Sequence, residues 1–69
     1  MIGMEMNIEA APNAGRRTKT KIREHGPAFT LLASPTTVGF ASGRWIRVGS
    51  VDGWTGWLPE DEIEFEVVP

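Results

Sequence analysis

The sequence has no cysteine, no tyrosine and a single histidine among its 69 residues. The absence of cysteine excludes a disulfide framework and every cysteine-based zinc site, two devices that commonly stabilise very small domains. No apolar run approaches the roughly 20 residues that a transmembrane helix requires. Because a chain of this length buries only about 60% of its unfolded surface, its stability must come from one small, efficiently packed core.

Positive charge is also in short supply, since 7 Lys and Arg residues stand against 9 Asp and Glu for a formal net charge of -2. This mild acidity argues against general binding of polyanions. With 41% hydrophobic and 23% charged residues, the composition is typical of a globular protein. We therefore expect a single domain over residues 1–69, in which residues 1–3 could be disordered. The first residues lack a basic start and a long apolar stretch, so we expect no signal peptide and a cytoplasmic protein or a component of a phage particle.

Short segments of alternating apolar and polar residues dominate the chain. A period of two is typical of half-buried β-strands, and no long segment shows a helical period. The predicted strands cover residues 2–9, 16–23, 29–33, 44–48, 54–58 and 63–67, with Ile63, Phe65 and Val67 facing inward in the last of them. The predicted fold class is therefore all-β, a small barrel of five to six short antiparallel strands.

Turn-forming residues separate the predicted strands. Asp52-Gly53 predicts a tight type I′ hairpin turn between the fourth and fifth strands. Pro59 lacks an N–H and ends the fifth strand, and residues 60–62 then predict a single helical turn. The segment from Thr36 to Gly43 is consistent with irregular strand pairing or with a long hairpin tip.

Four short motifs occur in an order and at a spacing that a known family shares. They are Asn7-Ile8-Glu9-Ala10-Ala11-Pro12, Gly26-Pro27-Ala28-Phe29-Thr30-Leu31-Leu32, Trp45-Ile46-Arg47-Val48 and Gly53-Trp54-Thr55-Gly56-Trp57-Leu58. Together they resemble the bacterial Src-homology-3-like domain over residues 6–65. The resemblance implies a five- or six-stranded barrel that binds peptides, often cell-wall peptides, and that performs no catalysis. It also implies ligand-binding roles for Trp45 and Pro59, although Glu62 stands where the family usually presents an aromatic ring.

The tryptophans are the main candidates for ligand binding. Trp45 and Trp57 fall on the faces of their strands opposite the apolar residues, and Trp54 lies beside the predicted hairpin turn, so we expect two or three indoles to form one exposed patch. Aromatic side chains of this kind are common binding anchors. The complete predicted ligand-binding surface comprises Trp45, Trp54, Trp57, Pro59, Glu60 and Glu62. The alternative is that Trp57 covers an open end of the barrel and that Trp45 belongs to the core.

Cations are concentrated in one segment, which makes it the candidate nucleic-acid-binding site. Its members are Arg16, Arg17, Lys19, Lys21 and Arg23. Residues 1–35 hold five cations and three anions, a net charge of +2, whereas residues 36–69 hold two cations and six anions, a net charge of -4. We therefore favour the alternative, a solvent-exposed strand whose charges pair with an acidic neighbour.

The remaining ionisable residues do not form a recognisable chemical site. Glu62, Glu64 and Glu66 alternate with apolar residues, which predicts the outer face of a strand rather than a metal site. His25 precedes Gly26-Pro27 and has no second histidine or cysteine with which to share a metal, so we predict a loop residue. We predict no catalytic residues, no metal, no cofactor and no enzymatic activity.

Three functions follow from these patterns. The first is a protein- or peptide-binding module that uses the tryptophans and Pro59, with an acidic rim that selects basic ligands. The second is binding of cell-wall peptides, and the third, which the net charge makes the weakest, is binding of nucleic acid through the basic segment. Self-association or a structural role in a larger particle is also consistent with the sequence.

Overall fold

The structure of the protein is a computed structural model that describes residues 3–39 and 43–69. Its elements are β1 (Met4–Ala10), α1 (Arg16–His25), β2 (Ala28–Thr37), β3 (Arg44–Ser50), β4 (Thr55–Pro59), a 3₁₀ helix (Glu60–Glu62) and β5 (Ile63–Val67). The strands form one antiparallel sheet in the order β4-β3-β2-β1-β5. The predictions made for residues 1, 2 and 40–42 lie outside the described residues.

The antiparallel β-structure predicted from the alternation is confirmed, as is the helical turn after Pro59. The sheet is open, however, with β4 and β5 at its two edges, and it does not close into a barrel. The start of the segment from Thr36 to Gly43 belongs to β2, since Thr36 and Thr37 pair with Trp45 and Arg44 of β3.

The all-β prediction is wrong for residues 16–23, which lie in α1. A strand would have placed Thr18, Thr20 and Ile22 together on one face, but the helix buries Thr18 and packs Ile22 against the core while it exposes much of the rest. The cationic last turn is favourable because cations stabilise the negative end of a helix. The helix ends at His25, and the N–H of the C-cap residue Gly26 donates to the Ile22 carbonyl at 2.8 Å.

The hydrophobic core contains residues from every strand. Its members are Met6, Ile8, Phe29, Ile46, Val48, Leu58 and Ile63. Val48, Ile8 and Leu58 are completely buried, although the sheet is single and α1 is the one α-helix in the described residues. Ile22 of α1 packs against this core, and Ala11 and Ala14 in the loop before the helix are also buried. Two register shifts in the pairing of β2 with β3, at Leu31/Ala33 and Ala33/Thr36, are irregularities of the kind that bend a strand.

The hairpin between β3 and β4 is present, but its turn is not the predicted type I′. The Ser50 N–H donates to the Trp54 carbonyl at 2.8 Å, and the Gly53 N–H donates to the Ser50 carbonyl at 3.1 Å, so the loop has three residues. Only glycines among the described residues have positive φ, and Gly53 has a φ of 92°. The left-handed conformation is therefore needed at Gly53 and not at Asp52, as in three-residue hairpin loops.

The last strand is less buried than its alternation predicts. Ile63 is buried, but Phe65 and Val67, also predicted to lie inside, are 49% and 47% exposed. Their register partners in β1, Ile8 and Met6, are buried. The inward orientation is therefore right, and the exposure arises because β5 lies at the edge of the sheet, where no further strand covers it.

Candidate functional site

Two of the three tryptophans share the outer face of the hairpin formed by β3 and β4. Trp45 pairs with Pro59 and Arg47 pairs with Trp57, so Trp45 and Trp57 are diagonal neighbours on this face. Both indoles are partly buried. The Arg47 guanidinium carbon lies 5.7 Å from the centroid of the Trp57 ring, within cation–π range. We call Trp45, Arg47 and Trp57 the outer aromatic face.

Pro59 borders this face but is itself buried. Its position opposite Trp45 at the end of β4 agrees with its predicted role in ending the strand. A buried ring offers little surface to a ligand, so Pro59 supports Trp45 rather than extending the binding surface. The alternative that Trp57 covers an open end of a barrel does not fit either, because Trp57 lies opposite Arg47 on the surface of the sheet.

Trp54 lies on the opposite side of the sheet, so the predicted patch contains two indoles, and the inclusion of Trp54 in the ligand-binding surface is wrong. Trp54 directly precedes β4, shares the core side with residues 56 and 58 by alternation, and packs against the core. Its ring stacks on His25, with centroids 4.7 Å apart and planes within 3°, and meets the Phe29 ring edge-on at 6.4 Å. Gly56 provides the space for this ring, because a Cβ there would lie 2.7 Å from the Trp54 Cη2 atom.

His25 is the last residue of α1 and not a loop residue, and it ties the helix to the β3–β4 hairpin. Its Nδ1 atom lies 2.7 Å from the Asp52 Oδ2 atom. The Ser50 hydroxyl donates to the other carboxylate oxygen, and the Trp54 N–H approaches the same oxygen at 3.3 Å. The hydrogen bonds from Ser50 and then His25 lower the pKa of Asp52 from 3.8 to about 2.

This cluster does not have the order of a nucleophilic triad. In a triad the imidazole lies between the hydroxyl and the carboxylate. Here the Asp52 carboxylate lies between the Ser50 hydroxyl and the His25 imidazole. The arrangement therefore fastens the end of α1 to the hairpin loop and holds the ring against which Trp54 stacks.

Glu60 already has a cationic partner within the chain. Arg44 makes a forked pair with it, with the Nη2 atom 2.9 Å and 3.0 Å from the two carboxylate oxygens and the Nε atom 3.1 Å from one of them. The Arg44 side chain is 59% exposed, and that of Glu60 is 31% exposed. Solvent weakens such pairs, but a basic ligand would still have to compete with Arg44.

Glu62 has a structural role that differs from its predicted place in an acidic rim. Its Oε1 atom accepts hydrogen bonds from the Gly15 N–H at 2.8 Å and from the Thr18 hydroxyl at 2.9 Å. Gly15 is the N-cap of α1 and has no side chain with which to cap the helix. The carboxylate therefore caps the positive end of a helix that lies more than forty residues earlier in the chain.

The link between the 3₁₀ helix and the loop before α1 includes two further contacts. The Ala11 N–H donates to the Glu62 carbonyl at 2.8 Å, and the Asn13 side-chain amide donates to the Asp61 carbonyl at 3.1 Å. The acidic end of the chain thus meets the start of the basic segment mainly through backbone and hydroxyl groups. The predicted pairing of cationic side chains with this acidic end is therefore wrong, since no ion pair of the described residues joins the basic segment to residues 60–66.

The helix divides the five cations of the basic segment between different environments. Arg17 donates to the Trp57 carbonyl at 2.9 Å. Lys21 lies 5.7 Å from the centroid of the Trp54 ring and 4.0 Å from Glu24. Arg16, Lys19 and Arg23 are exposed and share one face by their helical spacing. Arg17 is also exposed, so the predicted continuous cationic strand is replaced by a helix on which three of the four exposed cations share one face.

Carboxylates line the outer face of the sheet at its other end. Glu9 pairs directly with Glu64, and Asn7 pairs with Glu66, in the register of β1 with β5. These four side chains are exposed, as predicted for Glu64 and Glu66. They border a cavity of about 250 Å³ that Phe65 also lines. We call Glu9, Glu64 and Glu66 the acidic face.

Comparisons of the chain with protein-family models, with curated proteins and with solved structures found no match. In residues 3–39 and 43–69, no three His, Asp or Glu side chains come together in a way that could hold a metal ion. No helix in the same residues has the length and apolar character needed to cross a membrane. The outer aromatic face and the two edges of the sheet are the candidate binding surfaces of the described residues.

Proposed function

We propose that the chain is a non-enzymatic protein- or peptide-binding module and that the outer aromatic face is its binding surface. The observation that carries the proposal is the placement of two partly exposed indoles and one arginine together on the outside of a regular hairpin. The apolar residues of β3 and β4 that belong to the core lie on the inner face, so these two indoles occupy the face that the core does not use. Tryptophan and arginine are the residues most enriched among energetically dominant interface positions.

We further propose that the domain has Src-homology-3-like architecture. Three features support this proposal: five antiparallel strands contribute to one core, β1 pairs with both β2 and β5, and a 3₁₀ helix joins β4 to β5. The motifs that resemble the family lie on β1, on the start of β2, on β3 and on the β3–β4 hairpin. The family resemblance adds a peptide as the expected ligand.

The outer aromatic face would bind by anchoring an apolar or proline side chain between Trp45 and Trp57. Flat rings supply contact area with little loss of conformational freedom, and Arg47 is available for a carbonyl or carboxylate of the ligand. An acidic rim plays a smaller part than the sequence predicts, because Glu62 caps α1 and Glu60 is paired with Arg44.

Single substitutions test the proposal. We expect Trp45→Ala and Trp57→Ala each to weaken binding of a proline-containing peptide pool by at least about tenfold, since the loss of an anchoring aromatic costs about 2 kcal/mol or more. Val51→Ala is the matched control, because Val51 is 92% exposed in the hairpin loop and removed from this face. Circular dichroism checks that each variant is folded. Equal affinity of all three variants for the peptides would contradict the proposal.

The same titrations distinguish the other functions. Binding of soluble peptidoglycan fragments that depends on Trp45 and Trp57 would identify a cell-wall peptide as the ligand. Binding of a short DNA duplex that is lost in the variant with Arg16, Lys19 and Arg23 replaced by Ala, and that weakens steeply with salt, would instead identify the exposed face of α1 as a nucleic-acid site.

A further inference from the structure

The two edges of the sheet differ in the hydrogen-bond partners of the backbone groups that point away from the sheet. At the β4 edge, the Ser50 N–H donates to the Trp54 carbonyl. The alternation of an antiparallel ladder then directs the backbone N–H and C=O groups of residues 54, 56 and 58 toward β3 and those of Trp57 away from the sheet. Arg17 of α1 donates to that outward Trp57 carbonyl. One outward carbonyl of this edge is therefore occupied by a side chain, and Pro59 at the end of β4 has no N–H to offer to another strand.

At the β5 edge, no further strand of residues 3–39 and 43–69 lies beside the backbone. The Val68 N–H donates to the Glu5 carbonyl, and the Ala11 N–H donates to the Glu62 carbonyl. The alternation of an antiparallel ladder then directs the N–H and C=O groups of residues 64 and 66 toward β1 and those of Phe65 and Val67 away from it. Strand edges of this kind are templates for the addition of another strand.

Side chains on both sides of β5 specify what such a strand should carry. On the core side, Phe65 and Val67 are about half exposed beside the buried Ile8 and Met6. On the other side lies the acidic face, where Glu9 and Glu64 stand directly opposite each other. Like charges in that position are destabilising, and a cation placed between them would remove the repulsion.

We propose that the β5 edge binds an extended peptide in which apolar and basic residues alternate, as an added strand of the sheet. The apolar side chains would cover Phe65 and Val67, and the basic side chains would meet Glu64 and Glu66. This site is separate from the outer aromatic face. A second copy of the chain is a poorer occupant, because antiparallel pairing of two β5 strands centred on Phe65 would bring Glu64 of one copy beside Glu66 of the other.

Amide hydrogen exchange tests the proposal residue by residue. The probe is a capped eight-residue peptide that alternates lysine with valine and threonine, and its matched control carries glutamate in place of lysine. We expect the lysine peptide to slow exchange at the Phe65 and Val67 amides, while the Glu64 and Glu66 amides, which face β1, change little. Slowed exchange at neither Phe65 nor Val67 would overturn the proposal, even if the peptide binds through charge alone.

Two variants check the same site through different groups. Val67→Pro removes an outward N–H, a change that an edge strand accommodates, and we expect it to abolish the protection of Phe65. Combined Glu64→Lys and Glu66→Lys substitutions should weaken binding of the lysine peptide by roughly tenfold or more and should favour the glutamate peptide. Trp57→Ala should leave both results unchanged, which distinguishes this site from the outer aromatic face. Slow exchange at Phe65 that depends on protein concentration without peptide would show a second copy as the occupant and overturn the proposal.

Discussion

Glu62→Ala tests the interaction that holds α1 to the end of the chain. The substitution removes the one carboxylate oxygen that accepts from both the Gly15 N–H and the Thr18 hydroxyl. Thr18 is only 2% exposed, so its hydroxyl would lose an acceptor in a place that water hardly reaches.

The expected loss of stability follows from the two groups that lose their acceptor, the Gly15 N–H and the Thr18 hydroxyl. Loss of an N-cap costs about 0.5–2 kcal/mol, and a buried donor without an acceptor costs about 1–3 kcal/mol. Because both bonds share one oxygen atom, the losses are not simply additive, and we expect about 2–3 kcal/mol in total. A chain of this length has a free energy of unfolding of only about 3–10 kcal/mol. The melting temperature should therefore fall by roughly 8–20 °C.

Thermal and urea unfolding followed by circular dichroism measure this effect. Glu62→Gln keeps an acceptor oxygen and removes the charge, so we expect it to cost about 1 kcal/mol or less. Glu64→Ala is the second control, because Glu64 lies on the acidic face opposite Glu9, and its removal should be neutral or slightly stabilising. In a Thr18→Val background the cost of Glu62→Ala should shrink. Equal stability of Glu62→Ala and Glu64→Ala would refute the capping role.

Two further predictions concern the packing of the β3–β4 hairpin. Gly56→Ala should destabilise the fold by about 1–2 kcal/mol in urea unfolding, because the new methyl group meets a Trp54 ring held by His25 and Phe29; an unchanged midpoint would mean that the ring moves freely. Since the folded-state pKa of Asp52 is lowered from 3.8 to about 2, its stabilising contribution is present above about pH 4 and lost as the pH falls toward 2. The stability difference between the wild type and Asp52→Asn should therefore shrink over that interval, and a constant difference would contradict the lowered pKa.

The strands could be predicted from the sequence because the alternation that marks them is local. Ile46 and Val48 lie inside and Trp45 and Arg47 outside, as the period of two predicts. The partial exposure of Phe65 and Val67 could not be predicted in the same way. It depends on the position of β5 in the sheet, and strand order is not written in the alternation of any one strand.

The helix was missed because its sequence also has a period of two. Thr18, Thr20 and Ile22 alternate with cations, and Gly15 offers no capping side chain that would signal a helix start. The groups that favour the helix come from distant positions, namely Glu62 at its start and Asp52 and Trp54 at its end. Tertiary contacts of this kind override a local pattern.

Only part of the candidate site could be predicted from the sequence. Alternation placed Trp45 and Trp57 on the outer face, but the position of Trp54 depends on the loop that precedes β4. Gly56 was the available signal, since a glycine two residues from a tryptophan in a strand leaves room for the ring on the same face. No local signal indicated that Glu62 would cap a helix rather than face a ligand.

The indole N–H signals of the three tryptophans provide the most direct test of the proposed function. In a nitrogen-15 NMR titration with the proline-containing peptide pool, the Trp45 and Trp57 signals should shift together and saturably, because both rings lie on the outer aromatic face. The Trp54 signal should stay in place, because its ring is stacked on His25 on the core side. Shifts at Trp54 alone, or no shift at Trp45 and Trp57, would contradict the outer aromatic face as the binding surface.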